Sequence, residues 1–564
     1  MARKIFIGEQ DFVTLRENNY FYIDKTEFIR TWWEDGDNTT AIMRPRRFGK
    51  TLNMSMVNAF FSIDYEGRGQ ELFGDLRIWQ YENMHRLQGK FPVIFLSFAM
   101  VKGSSYGNLL HKLREIIAAA FKKHAYLLES DVLDDADKAY FAKVRFCEQS
   151  VDWEVSINKL SAWLSAYYQR KVIILLDEYD APMQEAYAGG FWQEMTEFMR
   201  PFFNASFKSN AYMDRALMTG ITRVARESIF SDLNHLAVVT VLDDMYNDAF
   251  GFSETEVFAA MDEYGLTDRE GVKAWYDGFS FGNRRDVYNP WSIINFLKEK
   301  GRFDAYWANT SANRLISNLL QSGSVSLKKQ FECLLQGRSI WAEIDNQVVF
   351  HDMTGNTNAI WSLFVASGYL TGEKVQAAEP GRLVYELRIT NYETRCMFDS
   401  LVSRWFQSGG DSYNEFIEAL LHDDVEAMED FLNDVSLRTF SFFDVGKLPG
   451  QRQEPERFYH GFVLGMMVDL REEYVITSNR ESGFGRYDIM LEPRNDSDNA
   501  IIIEFKVFRP QREKNLAEAL QHALRQIEER NYAAALEAKG IPQERIRKYG
   551  FVFEGKKVVV GRGK

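Results

Sequence analysis

The chain has 564 residues, 46% of them hydrophobic and 15% aromatic, enough for several buried cores and far from the composition of a disordered polymer. Its 67 Lys and Arg stand against 81 Asp and Glu, a formal charge of −14, which excludes a histone-like protein that coats nucleic acid by bulk charge but leaves room for a local basic channel. The three cysteines, Cys147, Cys333 and Cys396, lie far apart and suggest neither a disulfide framework nor a zinc cage. Residues 1–11 lack the apolar core of a secretory signal, and every apolar run falls short of the ~18–20 residues that span a bilayer. A cytoplasmic protein with no membrane partner is expected.

From residue 1 to about 245, short apolar strands alternate with amphipathic helices, the pattern of a parallel α/β sheet. Strands are predicted at 39–43, 93–98, 172–176, 216–221 and 236–242, with helices between them at 106–124 and 153–169. Residues 44–51, Arg-Pro-Arg-Arg-Phe-Gly-Lys-Thr, follow the first strand and precede a helix over 51–61. Gly49, Lys50 and Thr51 match the end of the Walker A pattern, G-x-x-x-x-G-K-[ST], while Arg44 stands where its first glycine is expected. Backbone N–H groups along Arg46, Arg47, Phe48 and Gly49 would cradle phosphates beside the positive helix end. Lys50 would reach the β/γ-phosphates and Thr51 would hold Mg²⁺. The apolar strand at 172–176 runs into Asp177 and Glu178, the Walker B pattern; Asp177 would bind Mg²⁺ through water and Glu178 would orient the attacking water. On a further strand, Thr219, followed by Gly220 and Thr222, would sit beside this one and report on the γ-phosphate. Arg223 and Arg226 fit either a charge-stabilising finger or surface ion pairs.

Residues 246–450 read mostly helical. Ser253-Glu254-Thr255-Glu256 forms a capping box, and Trp275-Tyr276-Asp277-Gly278 and Tyr288-Asn289-Pro290-Trp291-Ser292 are aromatic-anchored turns into the next helices. A helical pair is predicted over 414–432.

The tail begins with a helix over 457–470, followed by strands at 474–477, 487–491 and 501–506, a helix over 516–535 and a last strand at 549–553. Residues 451–564 hold 20 Lys and Arg against 18 Asp and Glu, so this is the part of the chain that tolerates a polyanion. Glu504 and Lys506 share one face of their strand while Phe505 packs on the other, and Asp488 on a neighbouring strand would bring its carboxylate alongside. The Ile501-Ile502-Ile503 run marks a buried central strand, where an acid and a lysine need a reason. Asp488 and Glu504 would bind one or two Mg²⁺ or Mn²⁺ ions, and Lys506 would orient a water or steady developing charge. Glu481 is a further ligand or a turn cap. Glu456 and His460 lie on the opening helix, and Arg480 and Arg486 suit phosphate contacts, Arg486 alternatively an ion pair with Glu481.

With Tyr22-Ile-Asp24-Lys25-Thr26, Arg44 to Thr51, Leu176-Asp-Glu-Tyr-Asp180 and Tyr288 to Ser292, the chain resembles the AAA-ATPase-like family of bacterial proteins, whose own P-loop has the Arg-Pro-Arg-Arg form and which commonly end in a PD-(D/E)xK nuclease domain. The Asp488…Glu504-x-Lys506 constellation resembles that superfamily. The resemblance implies a helical glutamine facing the site as a catalytic residue: Gln526, at the family's spacing from Tyr532, with Gln521 on a less certain face. The fold expected is α/β: a P-loop parallel-sheet ATPase domain over 1–245, a helical lid or connector over 246–450, and a small α/β PD-(D/E)xK nuclease-like domain over 451–564. The expected function is ATP binding and hydrolysis together with metal-dependent cleavage of nucleic acid, DNA ahead of RNA, with ATP and Mg²⁺ (or Mn²⁺) as cofactors and a homo-oligomer left open. The rival is a nucleotide-dependent switch or nucleic-acid-binding regulator with a non-catalytic tail, against which the intact Asp488, Glu504 and Lys506 count. A third reading keeps the tail active and makes the P-loop purely structural.

Overall fold

The computed structural model describes residues 2–222, 236–307, 316–317, 319–320, 324–335, 337–345, 356–376, 383–407, 412–439, 463, 467, 470, 473–478, 481–482, 485–495, 497–508, 510, 513–554 and 557–563. The chain divides into two compact units, Met1–Ser324 with Gly337–Arg395, and Val325–Gln336 with Cys396–Lys564.

The first unit is built on a five-stranded parallel sheet of β1 (Thr39–Met43), β2 (Val93–Ser97), β3 (Val172–Asp177), β4 (Met213–Gly220) and β5 (Leu236–Val239), in the order β2-β3-β4-β1-β5. Strands β1 and β3 are buried along their whole length, as a sheet covered on both faces requires. Helices α1 (Lys50–Phe61), α2 (Tyr106–Lys123) and α3 (Ser156–Tyr168) belong to this unit, the last two contributing Leu109, Leu113, Ile117, Leu160 and Leu164 to the core. The strand expected to reach residue 242 ends at Val239 because Thr240 turns the chain: its N–H and hydroxyl both donate to Asp243 Oδ2, at 2.7 Å each.

The helical middle starts with α4 (Glu254–Tyr264), where the capping box forms as expected; Ser253 Oγ accepts from the Glu256 N–H and Glu256 returns a bond to the Ser253 N–H. Further on lie α5 (Pro290–Lys298), with Asn289 as its cap, and α6 (Tyr392–Gln407), which begins in the first unit and continues into the second. The region also carries two small antiparallel sheets absent from the sequence reading, β6 (Phe252–Ser253), β7 (Phe279–Phe281) and β8 (Arg284–Tyr288) in the order β6-β8-β7, and β9 (Ile340–Glu343), β10 (Leu370–Gln376) and β11 (Leu383–Ile389) in the order β10-β11-β9. Several of these strands are too short, or too charged in the case of Arg284-Arg285-Asp286, to leave a clear period-2 signal.

The second unit holds a mixed sheet of β12 (Tyr474–Ser478), β15 (Ile489–Pro493), β16 (Ala500–Val507), β17 (Ile546–Glu554) and β18 (Lys557–Arg562), in that order, with a separate pair of β13 (Glu481–Ser482) and β14 (Gly485–Arg486). Strands β16 and β17 are parallel, the crossover being α9 (Leu516–Glu529). One face of β16 sends Ile501, Ile503 and Phe505 into a core with Phe416, Leu420, Met428 and Leu432 of α7 (Ser412–His422) and α8 (Val425–Thr439). Ala500 and Ile502 on its other face pack with Ile527 and Tyr532. The helix expected over 516–535 stops at Glu529, and Asn531 takes a left-handed φ of 51° before a short helical turn, Ala534–Glu537. The opening helix expected over 457–470 lies almost wholly outside the described residues.

Candidate functional site

The N-terminal site forms where β1 runs into α1. Gly49 has a φ of 81° and Arg47 one of 67°, so the loop turns through two left-handed residues before the helix begins at Lys50. Arg44 is fully buried; its guanidinium donates to the carbonyls of Met43 (3.0 Å), Thr240 (2.6 Å), Met245 (3.1 Å) and Tyr246 (3.4 Å), and lies 4.6 Å from the Phe281 ring centroid. Burial lowers its pKa to about 9. Arg44 is therefore a tie between the loop and residues 240–246, which is why an arginine stands in place of a glycine. Phe48 is also fully buried, its ring against Phe279 and Phe281, so this residue can offer a ligand only its backbone.

Lys50 Nζ donates to the carbonyls of Arg44 (3.0 Å) and Pro45 (2.9 Å). Burial pushes this ammonium below the ordinary lysine value, while Glu178, Asp177 and Asp180 pull it back up. Thr51 Oγ1 donates to Asp177 Oδ2 at 2.7 Å, and Thr219 Oγ1 from β4 donates to Asp177 Oδ1 at 2.6 Å. The two Walker halves, 126 residues apart in sequence, thus meet at one carboxylate. Glu178 follows with a left-handed φ of 51°; burial raises its pKa, Lys50 opposes, and Asp177 and Asp180 add to the rise. Thr51 and Asp177 are hard oxygen donors, the chemistry Mg²⁺ takes. Arg46 reaches Gln184 Oε1 at 3.3 Å, and Arg223 and Arg226 lie outside the described residues.

Three contributors have no role in the sequence reading, which names Asp180 and Gly220 only as parts of motifs. Asp180 Oδ2 accepts from the N–H groups of Ile221 (3.0 Å) and Thr222 (2.9 Å) and from Thr222 Oγ1 (3.0 Å), bracing the end of β4 that carries Thr219. Gly220 is needed by close approach, since a Cβ there would stand 2.6 Å from the Tyr179 ring and 2.7 Å from Asp180 Oδ1. Ser97, ending β2, reaches Asp177 Oδ2 at 3.5 Å. The repeated acid in Asp177-Glu178-Tyr179-Asp180 was the available signal for Asp180; for Ser97 there was none.

The C-terminal site lies where β15 meets β16. Ile489 pairs with Ile503 in the antiparallel register, which sets Asp488 level with Glu504. Asp488 Oδ2 accepts from the Phe505 N–H at 2.8 Å. Glu504, 4% exposed, accepts from Gln526 Nε2, and Lys506 Nζ donates to Gln526 Oε1 at 2.9 Å. The one amide of Gln526 therefore touches both the acid and the lysine, and its Nε2 also lies 3.1 Å from the hydroxyl of buried Tyr532. Burial raises the Tyr532 pKa, the Gln526 bond opposes, and the Glu504 and Asp488 carboxylates add to the rise. Asp488 and Glu504 offer hard oxygen donors of the kind Mg²⁺ and Mn²⁺ take. Gln521 lies on the exposed side of α9, with Ala519, Ala523 and Ile527 marking the buried one. Glu481 and Arg486 are register partners in the β13/β14 pair, their side chains outside the described residues, as are Glu456, His460 and Arg480.

Comparison with known proteins matches residues 6–230 to the family described as predicted AAA-ATPase and residues 454–563 to the PD-(D/E)XK nuclease superfamily. A relative named "Uncharacterized protein in vnfD 5'region", from Azotobacter chroococcum mcd 1, is 25% identical over 562 residues, covering 96% of this chain and 95% of its own. The solved structure of the Aeropyrum pernix ORC1 protein in complex with DNA is similar at a TM-score of 0.22 and 13% identity, over 71% of this chain and 98% of that one, a likeness too weak to carry any property across. Among the described residues, no helix is long and apolar enough to cross a membrane.

Proposed function

We propose that this chain, which joins an AAA-ATPase-like domain to a C-terminal PD-(D/E)XK nuclease superfamily domain, binds and hydrolyses ATP at the first and cleaves nucleic acid, DNA ahead of RNA, at the second. The observation that carries the reading is the Glu504–Gln526–Lys506 network with Asp488 level beside it: a buried acid and a lysine on one strand face, both bonded to a single amide.

At the first site, Thr51 and Asp177 would hold Mg²⁺, with Thr219 fixing the carboxylate. Lys50 would exchange the Arg44 and Pro45 carbonyls for the phosphate oxygens of ATP, a pairing that favours the charged ammonium which burial disfavours. Glu178 would orient the attacking water. At the second site, Asp488 and Glu504 would hold Mg²⁺ or Mn²⁺. A divalent cation bound there supplies electrostatic polarisation of the scissile phosphate. Lys506 would orient a water that gives up a proton to solvent as its oxygen bonds to phosphorus and the bond to the leaving oxygen breaks, the leaving oxygen taking a proton from solvent. Gln526 would keep Lys506 from pairing directly with Glu504, leaving the carboxylate to the metal. The functional division over 1–245, 246–450 and 451–564, with the helical middle as connector, is part of the same proposal.

The test is to incubate the purified protein with plasmid, single-stranded DNA and RNA, with and without Mn²⁺ and ATP, beside Asp488→Asn and Asp177→Asn. Mn²⁺-dependent cutting lost in Asp488→Asn, and ATP turnover lost in Asp177→Asn, are expected. Wild-type cutting by Asp488→Asn would overturn the nuclease assignment, and wild-type turnover by Asp177→Asn the ATPase one.

A further inference from the structure

The Asn289-Pro290-Trp291-Ser292 segment at the start of α5 has no part in the chemistry above, yet three of its residues touch the phosphate loop or α6. Buried Asn289 caps α5, its Oδ1 accepting from the N–H groups of Trp291 (2.9 Å) and Ser292 (3.4 Å), while its Nδ2 donates to the Arg46 carbonyl at 3.4 Å. Pro290 sits at the first helical position, where its missing N–H costs nothing. Ser292 Oγ donates to Glu393 Oε2 at 2.8 Å, tying the segment to the first turn of α6. Trp291 is fixed further by its Nε1, which donates to the Tyr306 carbonyl at 3.2 Å.

On this anchored ring lies the loop's exposed arginine. The guanidinium carbon of Arg47 is 3.6 Å from the Trp291 ring centroid, and no acid pairs with Arg47 among the described residues. A carboxylate partner would neutralise the charge and occupy the N–H fork. An aromatic face does neither; it restricts the orientation of the group and leaves its donors available to an anion. Burial against its surroundings, and then neighbouring Arg46, disfavours the charged form of Arg47, a cost that a phosphate would relieve.

We propose that Trp291 is a positioning residue for the nucleotide site, holding the Arg47 guanidinium ready to pair with the phosphate oxygens of a nucleoside triphosphate. Asn289 fixes the adjoining loop carbonyl, and the bond from Ser292 to Glu393 keeps the ring in place. This rests on the reading of residues 44–51 as a phosphate loop.

The experiment is a double-mutant cycle on the affinity of the full chain for a fluorescent ATP analogue, using Arg47→Ala, Trp291→Leu, which keeps apolar bulk without a π face, and their combination, with Trp291→Phe as the conservative control. Arg47→Ala and Trp291→Leu should each weaken binding roughly three- to tenfold. The double variant should bind no more weakly than Arg47→Ala alone, and Trp291→Phe should stay within about twofold of wild type. Multiplying effects in the double variant, a phenylalanine no better than leucine, or wild-type affinity in Trp291→Leu would each overturn the inference while the nucleotide site stands. A wild-type chain that binds no nucleotide would overturn both.

Discussion

Arg44 replaces the glycine that opens most phosphate loops, and its guanidinium is committed to four backbone carbonyls. Restoring the general pattern by Arg44→Gly should therefore harm the protein: removing the donor leaves buried carbonyls and a cavity, a loss on the order of 2–4 kcal/mol, read as a lowered urea midpoint. Glu393 makes the opposite kind of buried site. It is fully buried, and burial pushes its carboxyl up to about 7, against the bonds from the Trp307 N–H and Ser292 Oγ. The folded chain keeps a proton there that the unfolded chain releases near 4.5, so this group's contribution to stability is greatest below that pH and declines as pH rises to about 7. Glu393→Gln should flatten that decline, by roughly 2–3 kcal/mol between pH 5 and 8, measured as the difference in urea unfolding free energy at the two pH values.

At the scale of elements, the first site depends on the ends of β3 and β4 staying in register. Asp180 and Tyr179 grip residues 221 and 222, and Gly220 is the gap into which they fit. Gly220→Ala should force that grip open, lowering thermal stability and, through the displaced Thr219, weakening nucleotide binding by tenfold or more. The strands bearing Asp177 and Glu504 were legible because a buried parallel or central strand is a run of aliphatic residues that ends abruptly in charge. Lys557–Arg562 was not singled out; as the edge strand β18, it is completed by α8, where the Asn433 amide exchanges bonds with the Val558 backbone at 2.9 Å. No local pattern announces such a contact between residues 125 positions apart. The same holds for Arg44 and Phe48: the motif marked their backbone, but only the packing of 240–281 shows where their side chains go.

At the scale of the whole molecule, each candidate site is assembled from residues of its own unit: Lys50, Thr51, Asp177 and Thr219 in one, Asp488, Glu504, Lys506 and Gln526 in the other. The proposed activities should therefore be separable, and Lys50→Ala should lose nucleotide binding while the metal-dependent cutting it shows without ATP matches wild type. The proposed cleavage requires that the buried acid on β16 serve a metal. The most direct measurement is the rate at which wild type and Glu504→Gln, both confirmed folded by circular dichroism, cut labelled DNA in Mn²⁺ and in EDTA. Cutting by wild type in Mn²⁺ alone, with the variant slower by a hundredfold or more, is predicted; equal rates for the two proteins, or cutting that persists in EDTA, would contradict it.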